Sequence, residues 1–380
     1  MSGPLVPLAT VAREWTRIGV TGFGGPPAHI ALLRELMVER TRWMSAAEFQ
    51  DANAACGLLP GPASTQMALF CAYRVAGAPG VLVGGIGFIA PAVVLIVALS
   101  LLFLAHHPPL WIRGAGAGAG AAVAAVAVHA ARGFVAPSLA RAGEARARRV
   151  RWALYVIVGL LAAVLLGPYL VLALLACGAL EAALAGGVRP SAGLALVPVT
   201  ATAGGLGALA WTAFKVGALS FGGGFVIIPL MQGDAVHVHH WMSNAQFLNA
   251  VALGQVTPGP VVATVAAVGY AARGLPGAGL AALVAFAPSF LFILIGGPRF
   301  ERLRRNLVAQ AFLDGAGPAA IGAIFGAGIL LAIVLRGWQF GLLALGALAL
   351  LVLRRGVVET LVGAGVIGVV VVLAGGGLPA

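Results

Sequence analysis

Charge is what this 380-residue chain has least of: Asp, Glu, Lys and Arg together make up 9% of it, against 61% apolar residues. A soluble domain carries about 25% charged and about 45–50% apolar residues, so a soluble globular enzyme is excluded. Cysteine is almost as scarce. Cys56, Cys71 and Cys177 are an odd set lying in or beside apolar runs, where cysteine packs as a small hydrophobe, and no disulfide framework follows. Lys215 is the single lysine. The sequence also lacks paired carboxylates with an acid/base partner, a Ser/His/Asp set, an HExxH helix and a phosphate-cradling Walker loop. Nothing therefore points to an enzyme or an ATP-driven pump, and no cofactor is implied. His237, His239 and His240 cluster, but Val238 interrupts them and no matching Cys or carboxylate set follows, so no metal site is predicted. The first 20 residues hold Arg13, Glu14 and Arg17 and lack a short apolar region before a cleavage site, so no cleavable signal peptide is expected.

What the chain has instead is long aliphatic runs. Its 55 glycines and 22 prolines lie inside them rather than in polar tracts, which excludes disorder and makes the lipid bilayer the solvent. The net charge of +12 comes without a basic stripe interleaved with aromatics, so it belongs to membrane loops and not to a nucleic-acid surface. Runs long enough to cross a bilayer occur near 78–105, 114–136, 150–187, 275–298, 310–335 and 338–376. The third and last are long enough to be hairpins, breaking at Gly167-Pro168 and at Arg354-Arg355. Weaker segments at 12–35, 49–73, 192–231 and 247–271 have Gly and Pro at their centres and read as broken or re-entrant helices. The basic loop from Arg141 to Arg151 is placed in the cytoplasm, as is the cluster Arg299, Arg302, Arg304 and Arg305.

The chain repeats itself. Phe23-Gly24-Gly25 matches Phe221-Gly222-Gly223, Trp43-Met44-Ser45 matches Trp241-Met242-Ser243, and Pro60-Gly61-Pro62 matches Pro258-Gly259-Pro260, all at an offset of 198. Tyr73, Gly77, Pro79 and Pro91 continue the match at 197 with Tyr270, Gly274, Pro276 and Pro288. Charge places the loop at 106–113 outside and its counterpart at 299–305 inside, so the halves are expected to be inverted, with three crossings between them. The expected organisation is a repeat over 1–137, a basic loop and inserted helices over 138–205, a second repeat over 206–335 and a helical hairpin over 336–380. Inverted repeats with discontinuous helices characterise secondary transporters, whose substrate site lies near the midplane.

The repeated breaks can hold an anion. Phe23, Gly24, Gly25 and Pro26, with Phe221, Gly222, Gly223 and Gly224, interrupt apolar segments and free backbone N–H groups that must line a cavity or be buried. Pro60, Gly61, Pro62, Pro258, Gly259 and Pro260 can start half-helices, whose N-termini present donors and a partial positive charge. His29, Gln66 and Gln255 add side-chain donors beside the breaks. Arg17 and Lys215, each six residues before a repeated Phe, are candidates to balance the charge of a dianion, or else snorkel to the interface. Glu181, close to Arg189, and Asp314 are the acids in apolar surroundings and the candidates for a proton relay, although an N-cap is the role expected of Asp314.

These residues carry a resemblance. Phe23-Gly24-Gly25-Pro26-Pro27-Ala28-His29-Ile30, the stretch Arg34 to Trp43, Phe49 and Leu59-Pro60-Gly61-Pro62-Ala63-Ser64-Thr65-Gln66 resemble the first half of the long-chain, two-domain chromate transporters of the ChrA type. Phe221 to Gly224, Trp241, Phe247 and Gly254-Gln255-Val256-Thr257-Pro258-Gly259-Pro260 resemble the second half. The resemblance spans about two-thirds of the chain and implies a multi-pass protein of the bacterial inner membrane that exports chromate and confers resistance. Cys56-Gly57 departs from the family's Cys-Gln before the first turn. Chromate and sulfate are similar tetrahedral dianions, so a general oxyanion carrier is the nearest alternative, followed by an anion channel with the same breaks. Oligomeric state is open, a homodimer included.

Overall fold

Apolar runs rich in Ala, Leu, Val and Gly can satisfy their backbone in a bilayer only as helices or a closed barrel. They take the helical solution. The computed structural model describes residues 5–57, 61–105, 108–186, 205–220, 225–296 and 306–377, and every regular element among these is helical. In chain order the α-helices are α1 (Leu8–Thr21), α2 (Pro26–Arg34), α3 (Ala46–Cys56), α4 (Ala63–Phe103), α5 (Leu110–Ala142), α6 (Arg146–Leu165) and α7 (Leu170–Leu184), then α8 (Leu206–Ala218), α9 (Ile227–Gln232), α10 (Asn244–Val256), α11 (Val265–Gly296), α12 (Leu307–Ile333), α13 (Gln339–Ala347) and α14 (Val357–Leu373). Four stretches are long and apolar enough to cross a membrane: Ala63–Phe103, Leu110–Ala142, Val261–Gly296 and Leu307–Ile333. Leu82, Ile86 and Val94 on α4, and Leu283 and Leu291 on α11, are exposed large hydrophobics of the kind lipid covers.

The span expected to begin near residue 78 extends back to Ala63, and the one expected from 275 extends back to Val265. Gly77 (φ 64°, ψ −155°) and Gly274 (φ 62°, ψ −153°) explain the difference, because each joins two helical stretches through a conformation that glycine adopts without cost. Pro79 and Pro276 then fall in the first turn after the joint, where a missing N–H breaks no hydrogen bond. The expected breaks at Gly167-Pro168 and Arg354-Arg355 are present: a 3₁₀ turn at Gly167–Tyr169 separates α6 from α7, and Arg354 has φ 54° between α13 and α14. The third crossing proposed over 192–209 falls largely outside the described residues, as do Arg189 and the cluster from Arg299 to Arg305.

Local backbone geometry recurs at the sequence offset. The π-helical turns Glu35–Arg40 and Gly233–Val238 stand 198 residues apart, as do the positive φ angles of Arg42 (54°) and His240 (52°). Capping boxes recur too: Ser45 with Glu48 opens α3, and Ser243 with Gln246 opens α10. Both lie outside the long spans, and the Ser45 amide holds the Glu48 carboxyl below the usual glutamate range. α1 packs on α4 as α8 packs on α11, and α4 packs on α11. On the other side, α12 packs on α5, α6 and α7, and α5 on α13 and α14. Small residues let these backbones touch: Gly159 of α6 lies against Ala319, Gly322 of α12 against Val156, and Gly118 of α5 against Ala364.

Candidate functional site: two Pro-Gly-Pro turns on the seam between the halves

The chain leaves α1 at Gly22 and re-enters a helix at Pro26, which with Pro27 opens α2. Gly24 (φ 102°) and Gly25 (φ 72°) supply the left-handed backbone between them. Phe23 is half-exposed and Gly24 is exposed, while Gly22 before them is buried. His29 is fully buried, its ring edge-on to Phe88 with centroids 5.0 Å apart. Its Nε2 lies 3.0 Å from the Gly22 carbonyl oxygen and its Nδ1 3.3 Å from Ser64 Oγ. A carbonyl only accepts, so the proton sits on Nε2 and Nδ1 accepts from Ser64. This is the structural alternative for His29: it ties the first break to the start of α4.

Each Pro-Gly-Pro turn is completed by the opposite half. Gly61 (φ 118°) lies against the Gly217 carbonyl of α8 and Ser289 of α11, while Gly259 (φ 98°) lies against Ala92 of α4 and the carbonyls of Gly19 and Phe88. Gly217 follows Gly19 by 198 residues and Ser289 follows Ala92 by 197, so the two contacts correspond. The Gly259 N–H donates to the Gly22 carbonyl at 3.0 Å, and Gly25 approaches Val261, which brings the first break beside the second turn. Pro62 is the N-cap of α4, and Pro260 precedes a 3₁₀ turn, Val261–Thr264, that leads into α11. Gln66 is fully buried at the first turn, and Gln255, at the end of α10, is buried with its Nε2 unpartnered among the described residues. Pro258 completes the second turn; Pro60, Phe221, Gly222, Gly223 and Gly224 lie outside the described residues.

Arg17 and Lys215 are both held by carboxylates. Glu14, buried, lies 3.2 Å from Arg17 Nε and 3.3 Å from Arg40 Nη1. Asp234, buried on the π-helical turn after α9, lies 2.5 Å from Lys215 Nζ and accepts from the Thr212 hydroxyl at 2.8 Å. Glu181 of the other layer has structural partners as well. Glu181 pairs with Arg151 at 2.7 Å and accepts from the Tyr155 hydroxyl at 2.8 Å. Asp314 is not the N-cap of its helix. Asn306 is, accepting from the Val308 and Ala309 amides, because α12 starts two turns earlier than the Asp-Gly pair suggested. No group of three or more His, Cys, Asp or Glu that could hold a metal occurs among the described residues. A cavity of about 730 Å³ opens away from the turns, between the end of α4 and the starts of α5 and α10, with Arg113, Asn249 and Gln339 on its wall.

The two segments that carry this geometry, residues 9–182 and 207–371, match the family described as chromate transporter. The chain belongs to that family. Three relatives support the match over most of their length. A chromate transport protein of Cupriavidus metallidurans is 31% identical over 87% of this chain and 84% of its own. A probable chromate transport protein of Synechococcus elongatus is 30% identical over 86% and 85%. A chromate transport protein of Pseudomonas aeruginosa is 32% identical over 82% and 78%. No solved structure matches. Family membership and four long apolar helices together make this member of the chromate transporter family a membrane protein whose named relatives are transporters.

Sequence reasoning passed over the carboxylates Glu14 and Asp234 and the hydroxyls of Ser64, Thr65, Ser220 and Ser289. Their signal was present. Ser220 and Ser289 are small polar residues in apolar stretches, Glu14 sits between Arg13 and Arg17, and Ser289 stands where the first repeat has Ala92.

Proposed function

We propose that this chain is a secondary transporter that exports chromate across the bacterial inner membrane and thereby confers chromate resistance. The observation that carries the reading is the reciprocal seam: each Pro-Gly-Pro turn, with its helix N-terminus, is closed by the opposite half. A site shared between two repeats opens to one side or the other as the repeats rock, which is what alternating access requires. In this reading the repeats over 1–137 and 206–335 are inverted, the segment 138–205 supplies the odd number of crossings between them, and the hairpin 336–380 packs outside.

The helices that meet at the seam are discontinuous in this reading. The part of α4 before Gly77, about 14 residues, reaches only about 21 Å, short of the roughly 30 Å hydrocarbon core. With α3 it forms a re-entrant hairpin whose tip is the first Pro-Gly-Pro turn. The substrate contacts come from Phe23, Gly24, Gly25, Pro26 and His29, from Pro60, Gly61, Pro62 and Gln66, from Phe221, Gly222, Gly223 and Gly224, and from Gln255, Pro258, Gly259 and Pro260. Arg17 and Lys215 balance the dianion by turning from Glu14 and Asp234 as it passes. A membrane potential negative inside already favours exit of an anion, so the reading needs no coupled proton.

Uptake of radioactive chromate into inverted vesicles containing the purified protein tests it. Time-dependent uptake that resists excess sulfate is expected. Uptake abolished by sulfate makes the protein a general oxyanion carrier, and the absence of uptake removes the reading.

A further inference from the structure

The cavity of about 730 Å³ between the end of α4 and the starts of α5 and α10 lies apart from the seam, and no Asp or Glu lines it. Arg113 of α5 does. It is exposed and has no hydrogen-bond or ion-pair partner among the described residues. Arg17, Arg40, Arg74 and Arg151, by contrast, are each held by a glutamate.

The amides on the wall have used their acceptors and kept their donors. The Ser243 N–H donates to Gln246 Oε1 at 2.9 Å, which leaves Gln246 Nε2 without a partner among the described residues. Gln232 Nε2 donates to Asn244 Oδ1 at 3.0 Å and leaves Asn244 Nδ2 in the same state. Asn249 lies against Gly116 of α5 and makes no side-chain hydrogen bond among the described residues. Only Gln339 is engaged at both ends, accepting from the Arg336 N–H and donating to the Ala117 carbonyl, so its role is structural. Asp234, two residues beyond Gln232, is neutralised by Lys215.

The repeat shows what distinguishes this wall. Gln246 stands 198 residues after Glu48, and Asn249 stands 198 after Asp51, so two carboxylates of the first half are isosteric amides in the second. Arg74, the partner of Glu48, has Ala271 as its counterpart at 197. Capping does not account for the exchange. Glu48 and Gln246 supply the same oxygen to the same amide, and the helix dipole favours the glutamate at that position. What the amides change is charge: the wall loses two negative groups and gains N–H donors.

We propose that this cavity is an anion vestibule that binds a hydrated tetrahedral oxyanion, with Arg113 supplying the charge and Asn249, Gln246 and Asn244 donating to its oxygens. A cleft lined by one sign of charge concentrates the opposite ion. The proposal rests on the transport reading above, in which the loop at 106–113 is outside, so the vestibule is the last station before release. It is a second site. α10 runs from Asn244 at the cavity to Gln255 beside the second Pro-Gly-Pro turn, about 16 Å along its axis.

Thiol labelling tests the site without requiring transport. Cys56, Cys71 and Cys177 are buried, so a thiol introduced by Ala245→Cys, at an exposed position on the wall, reacts against a silent background. The full chain in phosphatidylcholine nanodiscs is labelled with an anionic (sulfonatoethyl) and a cationic (trimethylammonioethyl) methanethiosulfonate, each rate being divided by that of a free thiol. The anionic reagent should be favoured on the order of tenfold. Sulfate, used because chromate oxidises thiols, should slow it more than chloride does at matched ionic strength. Arg113→Gln should remove both effects, Arg113→Lys should keep the preference, and Asn249→Asp should reduce both. Arg132→Gln should change neither, because Arg132 is about 28 Å further along α5, well beyond a Debye length. A preference that survives Arg113→Gln, an equal loss with Arg132→Gln, or protection by sulfate no better than by chloride overturns the vestibule. Chromate uptake by vesicles, measured alongside, separates the two readings. Uptake without sulfate protection overturns the vestibule and keeps transport, whereas protection without uptake keeps the site and removes the transport reading.

Discussion

At the scale of single residues, the seam is set by what cannot be larger than glycine. Gly61 and Gly259 both have φ in the left-handed region, and a side chain there costs about 1–3 kcal/mol in strain alone. Their neighbours differ. A Cβ on Gly61 meets the end of the flexible Gln66 side chain, whereas a Cβ on Gly259 comes within 2.7 Å of the Ala92 methyl, which cannot move away without its helix. Gly61→Val should therefore leave a folded protein that does not transport, and Gly259→Ala should lower the melting temperature by several degrees; thermal unfolding beside vesicle uptake separates the two. Asp234 is buried and Lys215 largely so, and removing the lysine strands the carboxylate. Lys215→Met should destabilise by about 3–5 kcal/mol, and adding Asp234→Leu should recover most of the loss. A melting series of the two single variants and the double checks this.

At the scale of elements, the sequence showed where helices run more readily than how they join. Hydropathy located the spans, and the breaks at Gly167-Pro168 and Arg354-Arg355 were legible, the first because Gly-Pro interrupts a helix and the second because two charges interrupt an apolar run. The joints at Gly77 and Gly274 were harder to see: a single glycine at positive φ folds the chain back there, bringing Gly84 against Ala72 and Gly277 against Gly269, yet it leaves no polar gap in the apolar run. Capping was legible at Ser45 and Ser243 only as part of a repeated Trp-Met-Ser, and Asp314-Gly315 misled because an apolar stretch hides how far back its helix begins. The matched caps yield a controlled prediction. Glu48 accepts from the Ser45 amide and has its carboxyl lowered by that bond, so the cap holds above the ordinary glutamate value of about 4.3 and is lost as pH falls through the lower folded value. Gln246 makes the equivalent bond without a titrating group. Amide exchange corrected for intrinsic rates should therefore accelerate in the first turn of α3 below about pH 4 and stay unchanged in the first turn of α10. Equal acceleration at both would assign the effect to global unfolding.

At the scale of the whole molecule, the repeat was legible from a handful of glycines, prolines and tryptophans, but the way the halves complete each other was not. Contacts such as Gly61 with Gly217, or Gly259 with Ala92, link residues that share no local pattern. Neither half can fold its turn around its own residues. Residues 1–205 and 206–380, produced as separate chains in one cell, should co-purify, while either alone should aggregate; independent monodisperse halves would contradict a reciprocal seam. One atom concentrates that dependence. The Gly22 carbonyl oxygen accepts from His29 of its own half and from the Gly259 amide of the other, both at 3.0 Å. Two donors on one oxygen soften the C=O stretch, and parting the halves removes one of them. An isotope-labelled Gly22 carbonyl is thus a vibrational gauge built into the protein, whose infrared band moves to higher frequency each time the seam opens and returns when it shuts.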